Sequence, residues 1–212
     1  MTYVLFVDSE TGGLTQPTLP ADHPSQPHLV QLGVILADDQ GREVAQAELI
    51  VRPEGWTIPD GAAQIHGITT EIAKAVGIPL TTVLSVFLNL RADADEIVAY
   101  NLDFDDLVMR AAIARSGRIP SSAGPSKRTC CMRLATPIVN LPPTAKMQAA
   151  GFLKNKPPNL TEAHKFFFGE GFAGAHGALA DARACARIFF EMRKREAAKP
   201  KIEEWERLAS EQ

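Results

Sequence analysis

The sequence predicts one α/β domain over residues 1–200, with a mixed central sheet whose first three strands are antiparallel and whose faces are flanked by helices, followed by a charged tail at 201–212. Three observations lead there. Strand-like runs stand in succession at 3–7, 29–37 and 43–51, the last two joined by the turn signal Asp38-Asp39-Gln40-Gly41. Beyond residue 80, helical periodicity alternates with short β-rich runs. With 212 residues and 45% hydrophobic composition, the chain can bury one substantial core, and nothing in it demands two.

The first strand, Tyr3-Val4-Leu5-Phe6-Val7, is nearly continuously apolar, as expected of a strand buried on both faces. It runs straight into Asp8 and Glu10. Alternation along a strand puts these two carboxylates on one side, where like charges stay ionised only beside a cation. Asp-x-Glu at a strand end therefore suits a divalent ion such as Mg²⁺ or Mn²⁺, although two solvated acids at a fraying strand end share the pattern. Thr11-Gly12-Gly13-Leu14 follows as a turn in which glycine permits close approach to another group or positive φ. Residues 15–28 are proline-rich and carry no periodicity.

Arg52-Pro53 ends the third strand. Ala62 to His66 forms one helical turn closed by Gly67, and Thr69 or Thr70 starts the next helix. Val83, Leu84, Phe87 and Leu88 define a core-facing helix over about 81–91. Ile97-Val98-Ala99-Tyr100 reads as a strand, and a helix begins at once inside Asn101-Leu102-Asp103-Phe104-Asp105-Asp106, ending near Gly117. Residues 121–127 are a Ser/Gly/Pro loop, 129–132 a short strand, and Pro137 must interrupt or restart the helix after it. The proline-rich stretch 141–158 is an exposed connection. Asn159-Leu160-Thr161-Glu162 has the form of a capping box for a helix that Gly169 stops. From Ala178 to about Lys199 the helical signal is strongest, with a last short helix or frayed end beyond Pro200.

A net charge of −3 with interspersed signs excludes binding of nucleic acid through a general positive field. It leaves room for a protein that grips few phosphates and lets metal ions supply the missing charge. Cys130, Cys131 and Cys185 are odd in number and lack metal-type spacing, which points to reduced cytosolic thiols. No run approaches about 18 apolar residues and the N-terminus has no basic, apolar leader, so a soluble cytoplasmic protein without membrane contact is expected. The basic run Arg193-Lys194-Arg195 suits either a phosphate backbone or a solvated helix end.

Asp8, Glu10, one of Asp103, Asp105 and Asp106, then His176 and Asp181 together form a conjunction of acids and a histidine drawn from distant segments. In that order the motifs resemble the DnaQ-like 3′–5′ exonucleases of the DEDDh type, in the RNase H-like superfamily. Asp8-Ser9-Glu10-Thr11-Gly12-Gly13-Leu14 is similar to the family's Asp-x-Glu-Thr-Thr-Gly-Leu, with Gly12 in place of a threonine. Ile65-His66-Gly67-Ile68-Thr69 matches a segment near the substrate end. Asn101-Leu102-Asp103-Phe104-Asp105 matches Asn-x-x-Phe-Asp and selects Asp105, with Tyr100 where a histidine often stands; His176 and Asp181 match His-x-x-x-x-Asp. The resemblance spans about Tyr3 to Met192 and implies an RNase H-like fold.

It also implies a chemistry. Asp8, Glu10 and Asp181, with Asp105 through water, would hold two divalent ions, Mg²⁺ or Mn²⁺, about 4 Å apart. His176 would take a proton from the attacking water. Thr11, Gly12, Gly13, Leu14, His66 and Asn101 would meet the terminal nucleotide, though each also suits local packing or a turn hydrogen bond. The implied product is a nucleoside 5′-monophosphate from the 3′ end of DNA, in proofreading or end-trimming beside a polymerase partner. RNA 3′ ends are the alternative substrate. A non-catalytic module docking on a polymerase or helicase is the alternative class, and it predicts damaged catalytic positions, none of which is visible.

Overall fold

The computed structural model describes residues 2–117, 124, 125 and 127–210, side chains of 199–210 excepted. Strand β1 (Tyr3–Thr11) lies at the centre of a five-stranded sheet of order β3-β2-β1-β4-β5. Strands β2 (Leu29–Asp38) and β3 (Glu43–Ile50) run antiparallel in sequence, whereas β4 (Glu96–Ala99) is parallel to β1 and β5 (Lys127–Cys130) to β4. The mixed sheet with an antiparallel first half is thus as the sequence leads one to expect.

The two faces of β1 explain where charge can go. Val4 and Phe6 point into one apolar cluster, with Ile35, Val98, Ile188 and Phe189. Leu5 and Val7 point into the other, with Val34, Ile97, Phe87 and Val108. All four β1 side chains are at most 1% exposed, and burying each is worth about 1.5–3 kcal/mol. A carboxylate among them would have neither water nor partner. Acids therefore enter only at the strand's carboxyl end, beside that of the parallel β4.

Helices α1 (Asp60–His66), closed by Gly67 at φ 76°, and α2 (Thr70–Val76), capped by Thr69, lie where the spacing places them. Helices α3 (Leu80–Asp93) and α4 (Leu102–Arg115) supply the cluster under Leu5 and Val7. The opposite face carries α5 (Cys131–Val139), α7 (Leu160–Phe168) and α8 (Ala178–Ser210), with α6 (Ala145–Ala149) in the connection between α5 and α7. The capping box of α7 is formed in both directions, Asn159 Oδ1 accepting from the Glu162 N–H and Glu162 accepting from the Asn159 N–H.

Three expectations are corrected. Cys131 and Met132 belong to α5 rather than to the preceding strand, because the register with β4 ends at Cys130, opposite Ala99. Pro137 neither interrupts nor restarts α5: it lies in the last turn, where it costs a single backbone bond before Asn140 ends the helix at φ 54°. Helix α8 continues past Pro200 to Ser210, since one missing N–H is tolerated between flanks of good helix formers, Ala197-Ala198-Lys199 and Lys201-Ile202-Glu203. The loop expected at 121–127 falls mostly outside the described residues. Among the described residues no helix is long and apolar enough to cross a membrane.

Candidate active site

The cleft forms where the carboxyl ends of β1 and β4 meet the starts of α4 and α8. It encloses about 210 Å³ and is lined by Asp8, Glu10, Asn101, Asp105, Leu160 and Asp181, among others. Asp8 and Glu10 are even-numbered β1 positions and share the face that carries α8, which brings Asp181 in its first turn to them. Asp105 comes from the other face of the sheet. It is reached by the odd-numbered Ser9, whose hydroxyl donates to Asp105 Oδ1 at 2.7 Å in a buried hydrogen bond.

Its acidic neighbours are turned elsewhere. Asp106 pairs with Arg110 at 3.0 Å and Arg128 at 2.7 Å, and Asp103 with Arg133. Asp105 is 4% exposed and is the acid of the three that lines the cleft. Tyr100, in place of the histidine the resemblance leads one to expect, donates its hydroxyl to the carbonyls of Pro158 (2.9 Å) and Asn159 (3.0 Å). It thereby ties the end of β4 to the start of α7.

The electrostatics show four acids that resist ionising together. Burial, then repulsion from Asp105, Asp181 and Glu10, pushes Asp8 well above the usual carboxylate range. Burial and Asp181 push Glu10 up to about 7, and burial pushes Asp105 to about 7 against the lowering pull of the Ser9 hydrogen bond. Asp181 rises to about 6 through burial, opposed by His176. One oxygen each of Glu10 and Asp181 and one ring nitrogen of His176 lie within 4.8 Å of one another. Asp181 Oδ1 is buried without a hydrogen-bond partner. Carboxylates with raised pKa values, gathered around an unpaired buried acceptor, are a donor set that fits oxygen-seeking divalent metals.

His176 sits on an exposed turn at φ 69°, a left-handed conformation uncommon for a residue with a Cβ. His66 closes α1, and its Nδ1 accepts the Ile68 N–H at 3.1 Å, which assigns the ring proton to Nε2. That Nε2 is buried without a partner; burial lowers the ring's pKa, opposed by the Thr11 backbone. Asn101 precedes α4 with its side chain exposed and not used as a cap. The Thr11 hydroxyl is engaged in the turn, donating to the Gly13 carbonyl at 2.6 Å. Neither Gly12 nor Gly13 has positive φ, which removes one of the two reasons offered for glycine there; a Cβ on Gly13 would meet nothing within 4 Å. Leu14 beside them is 83% exposed.

Three positioning residues escaped the motif reading. Ser9 is one. Gln31 and Gly33 on β2 are the others: Gln31 Oε1 accepts the first free N–H of α8, at Ala178, at 3.1 Å, and a Cβ on Gly33 would stand 2.2 Å from the Ala178 carbonyl carbon. Gly33 is paired with Asp8 across the ladder, so the helix start carrying Asp181 is seated beside the part of β1 that bears Asp8. A polar residue and a glycine inside an otherwise apolar strand are the signal that could have found them. By contrast, Arg193 pairs with buried Glu96 at 2.9 Å and covers the Phe189 ring, and Arg195 pairs with Glu191 at 2.8 Å and covers Phe167. Two of the three residues in that basic run are thus engaged in packing.

No curated protein sequence matches the chain. Among solved structures, E. coli exonuclease I in complex with a dT13 oligonucleotide superposes with a TM-score of 0.72 at 21% identity, covering 97% of this chain and 43% of that one. A zinc-bound form of the E. coli exonuclease I complex with single-stranded DNA gives 0.70 at 20% identity, over 93% and 41%. An exonuclease I complex with SSB-Ct gives 0.71 at 20% identity, over 93% and 42%. The chain thus spans less than half the length of these neighbours, and the likeness establishes the fold. The RNase_T exonuclease model matches residues 5–189, from the middle of β1 to the Phe189 core contact of α8. The chain belongs to the RNase_T exonuclease family, within the DnaQ-like group of the RNase H-like superfamily.

Proposed function

We propose that the chain is a divalent-metal-dependent 3′–5′ exonuclease that releases nucleoside 5′-monophosphates from the 3′ end of single-stranded DNA. The observation that carries this reading is the convergence of Asp8, Glu10, Asp105, Asp181 and His176 on one cleft from four separate segments. The DNA oligonucleotides bound by the structural neighbours support DNA as the substrate. The family match through residue 189 supports residues 1–200 as the catalytic unit, with 201–212 as a charged tail, of which 201–210 continue α8.

Asp8, Glu10 and Asp181 would hold Mg²⁺ or Mn²⁺, with Asp105 acting through water; bound ions would supply positive charge to the attacking and leaving oxygens of the phosphodiester. The chain's own residues do the rest. His176, the nitrogen base nearest the carboxylates, accepts the proton of the attacking water at a ring nitrogen. Its exposed turn lets that proton pass to solvent. Leu14 offers an apolar face for the terminal base, with the open flank of Gly13 leaving room for the sugar. The exposed Asn101 amide is a donor suited to sugar or phosphate oxygens, and His66 stands behind the Thr11 backbone that borders the same end of β1.

The test uses 3′-labelled and 5′-labelled DNA and matched RNA oligonucleotides with the purified chain, with and without EDTA. Expected are mononucleotides from the 3′ end of DNA, abolished by EDTA, and a loss of at least about 10³-fold in Asp8→Ala with the fold retained. Undiminished cleavage in Asp8→Ala would refute the metal assignment. Faster cleavage of RNA would replace the substrate.

A further inference from the structure

Charge is not interspersed along the whole chain. Between Asp106 and Glu162 the sequence holds nine lysines and arginines and no aspartate or glutamate, in a protein whose net charge is −3. Most of these cations are engaged. Acids outside the stretch pair with Arg110, Lys127, Arg128, Arg133 and Lys156, and backbone carbonyls accept from Arg115. Lys146 and Lys154, in contrast, are exposed and make no ion pair with a described residue. Between them in sequence, Phe152 and Leu153 are 65% and 76% exposed. Among the described residues neither joins an apolar cluster.

We propose that Phe152 and Leu153, with Lys146 and Lys154, form a platform for single-stranded DNA, on which bases rest upstream of the 3′ end held in the cleft. This deepens the exonuclease reading, on which it rests for the polarity of the strand but not for the contact.

The tip is continuous with the cleft. The Tyr100 hydroxyl holds the carbonyls of Pro158 and Asn159, and Tyr100 and Leu160 both line the cleft. Phe152 stands eight residues before Leu160, at most about 29 Å away even along an extended chain. At about 3.4 Å per stacked nucleotide, that is no more than about nine nucleotides. The tip is also held in place by its own backbone. The Phe152 N–H donates to the Met147 carbonyl at 2.9 Å, the Lys156 N–H to the Leu141 carbonyl at 3.0 Å, and the Asn155 amide to Asn140 Oδ1 at 2.6 Å. Gly151 takes φ 81° at the turn just before Phe152, a conformation that glycine adopts without strain.

The chemistry selects the occupant. An aromatic face stacks on any base and lysines attract phosphates, a combination that holds a strand without reading its sequence. The acidic cleft repels the backbone it must admit, so a cationic surface on its approach is where the upstream phosphates are held. An apolar tip beside lysines also suits an anionic membrane, but continuity with the cleft favours the strand.

The test measures binding apart from cleavage. Fluorescence anisotropy of 5′-labelled DNA oligonucleotides of graded length is followed in EDTA, with the full chain, Phe152→Ala, Phe152→Trp and a double variant, Lys146→Ala with Lys154→Ala. Affinity of the natural chain should rise with length up to about nine nucleotides. On longer strands Phe152→Ala should bind at least about fivefold more weakly, the lower end of what one stacked base is worth, and Phe152→Trp should retain the affinity. The double lysine variant should flatten the slope of log K against log salt by up to about 1.4, or about 0.7 per phosphate. Equal DNA affinity in the natural chain and Phe152→Ala, or an unaltered salt slope, overturns the proposal. Binding to anionic lipid vesicles that Phe152→Ala abolishes, with DNA affinity unchanged, overturns it too and assigns the tip to a membrane. Phe152-dependent binding of DNA without metal-dependent cleavage would leave the platform standing and remove the exonuclease reading; cleavage with Phe152-independent affinity would do the reverse.

Discussion

Strand β1 and the turn that carries His176 meet at one cleft and are built in opposite ways. β1 is hydrogen-bonded on both sides and has four consecutive side chains at most 1% exposed, so Asp8 and Glu10 inherit positions fixed by the core. His176 is exposed, left-handed and set between Gly174 and Gly177 with only Ala175 intervening. The difference suits the roles proposed for each. Carboxylates that repel one another have to be held by something stronger than their repulsion, which only a packed strand and helix provide. A base that takes a proton and hands it to water needs access more than rigidity.

Breaking the turn's side of that comparison has the largest effect. His176→Gly should lower kcat by about 10²–10⁴-fold, the scale of general-base catalysis. Its stability should stay within about 1 kcal/mol of the natural chain, because relief of left-handed strain offsets the entropy of glycine. Single-turnover rates and thermal melts together check this. A large loss of stability would show that the turn is part of the core scaffold.

The rigid side should behave in reverse. Gly33→Ala puts a methyl 2.2 Å from the Ala178 backbone, so α8 must lift from β2. We expect about 3 kcal/mol of destabilisation in urea unfolding and a loss of activity through displaced Asp181. Ser9→Ala removes the buried bond to Asp105 and should cost about 1–2 kcal/mol and raise the Mg²⁺ concentration for half-maximal rate. Ser9→Thr, which keeps the hydroxyl, should restore most of both.

The smallest effect is on pH. Folded-state values of about 7 for Glu10 and Asp105 and about 6 for Asp181 lie above those of an unfolded chain. The folded state therefore binds protons more tightly. Its stability from these groups is present below the unfolded carboxylate values and is lost as pH rises toward 7. The melting temperature of the metal-free chain should fall over that interval, and Mg²⁺ should restore it at pH 7. A flat profile without metal would mean that the acids do not share one site.

Much of this was legible from residue order because it depends on local rules. Burial of a continuous β-branched and aromatic run sets β1, alternation puts Asp8 beside Glu10, and the Asn159–Glu162 box sets the start of α7. Pro137 and Pro200 misled, since a proline removes one hydrogen bond while neighbouring contacts hold the helix.

What the sequence by itself determined is the set of acids, the histidine, and the strand and helix ends that bear them. Only the tertiary structure decided how they meet: that Asp105 arrives from the opposite face and is held by Ser9, and that Gly33 and Gln31 seat α8 so that Asp181 reaches Glu10. The physical reason is range. Strand alternation and helix capping act over a few residues, whereas the approach of one backbone to another depends on the side chain that is missing from a strand far away in the chain.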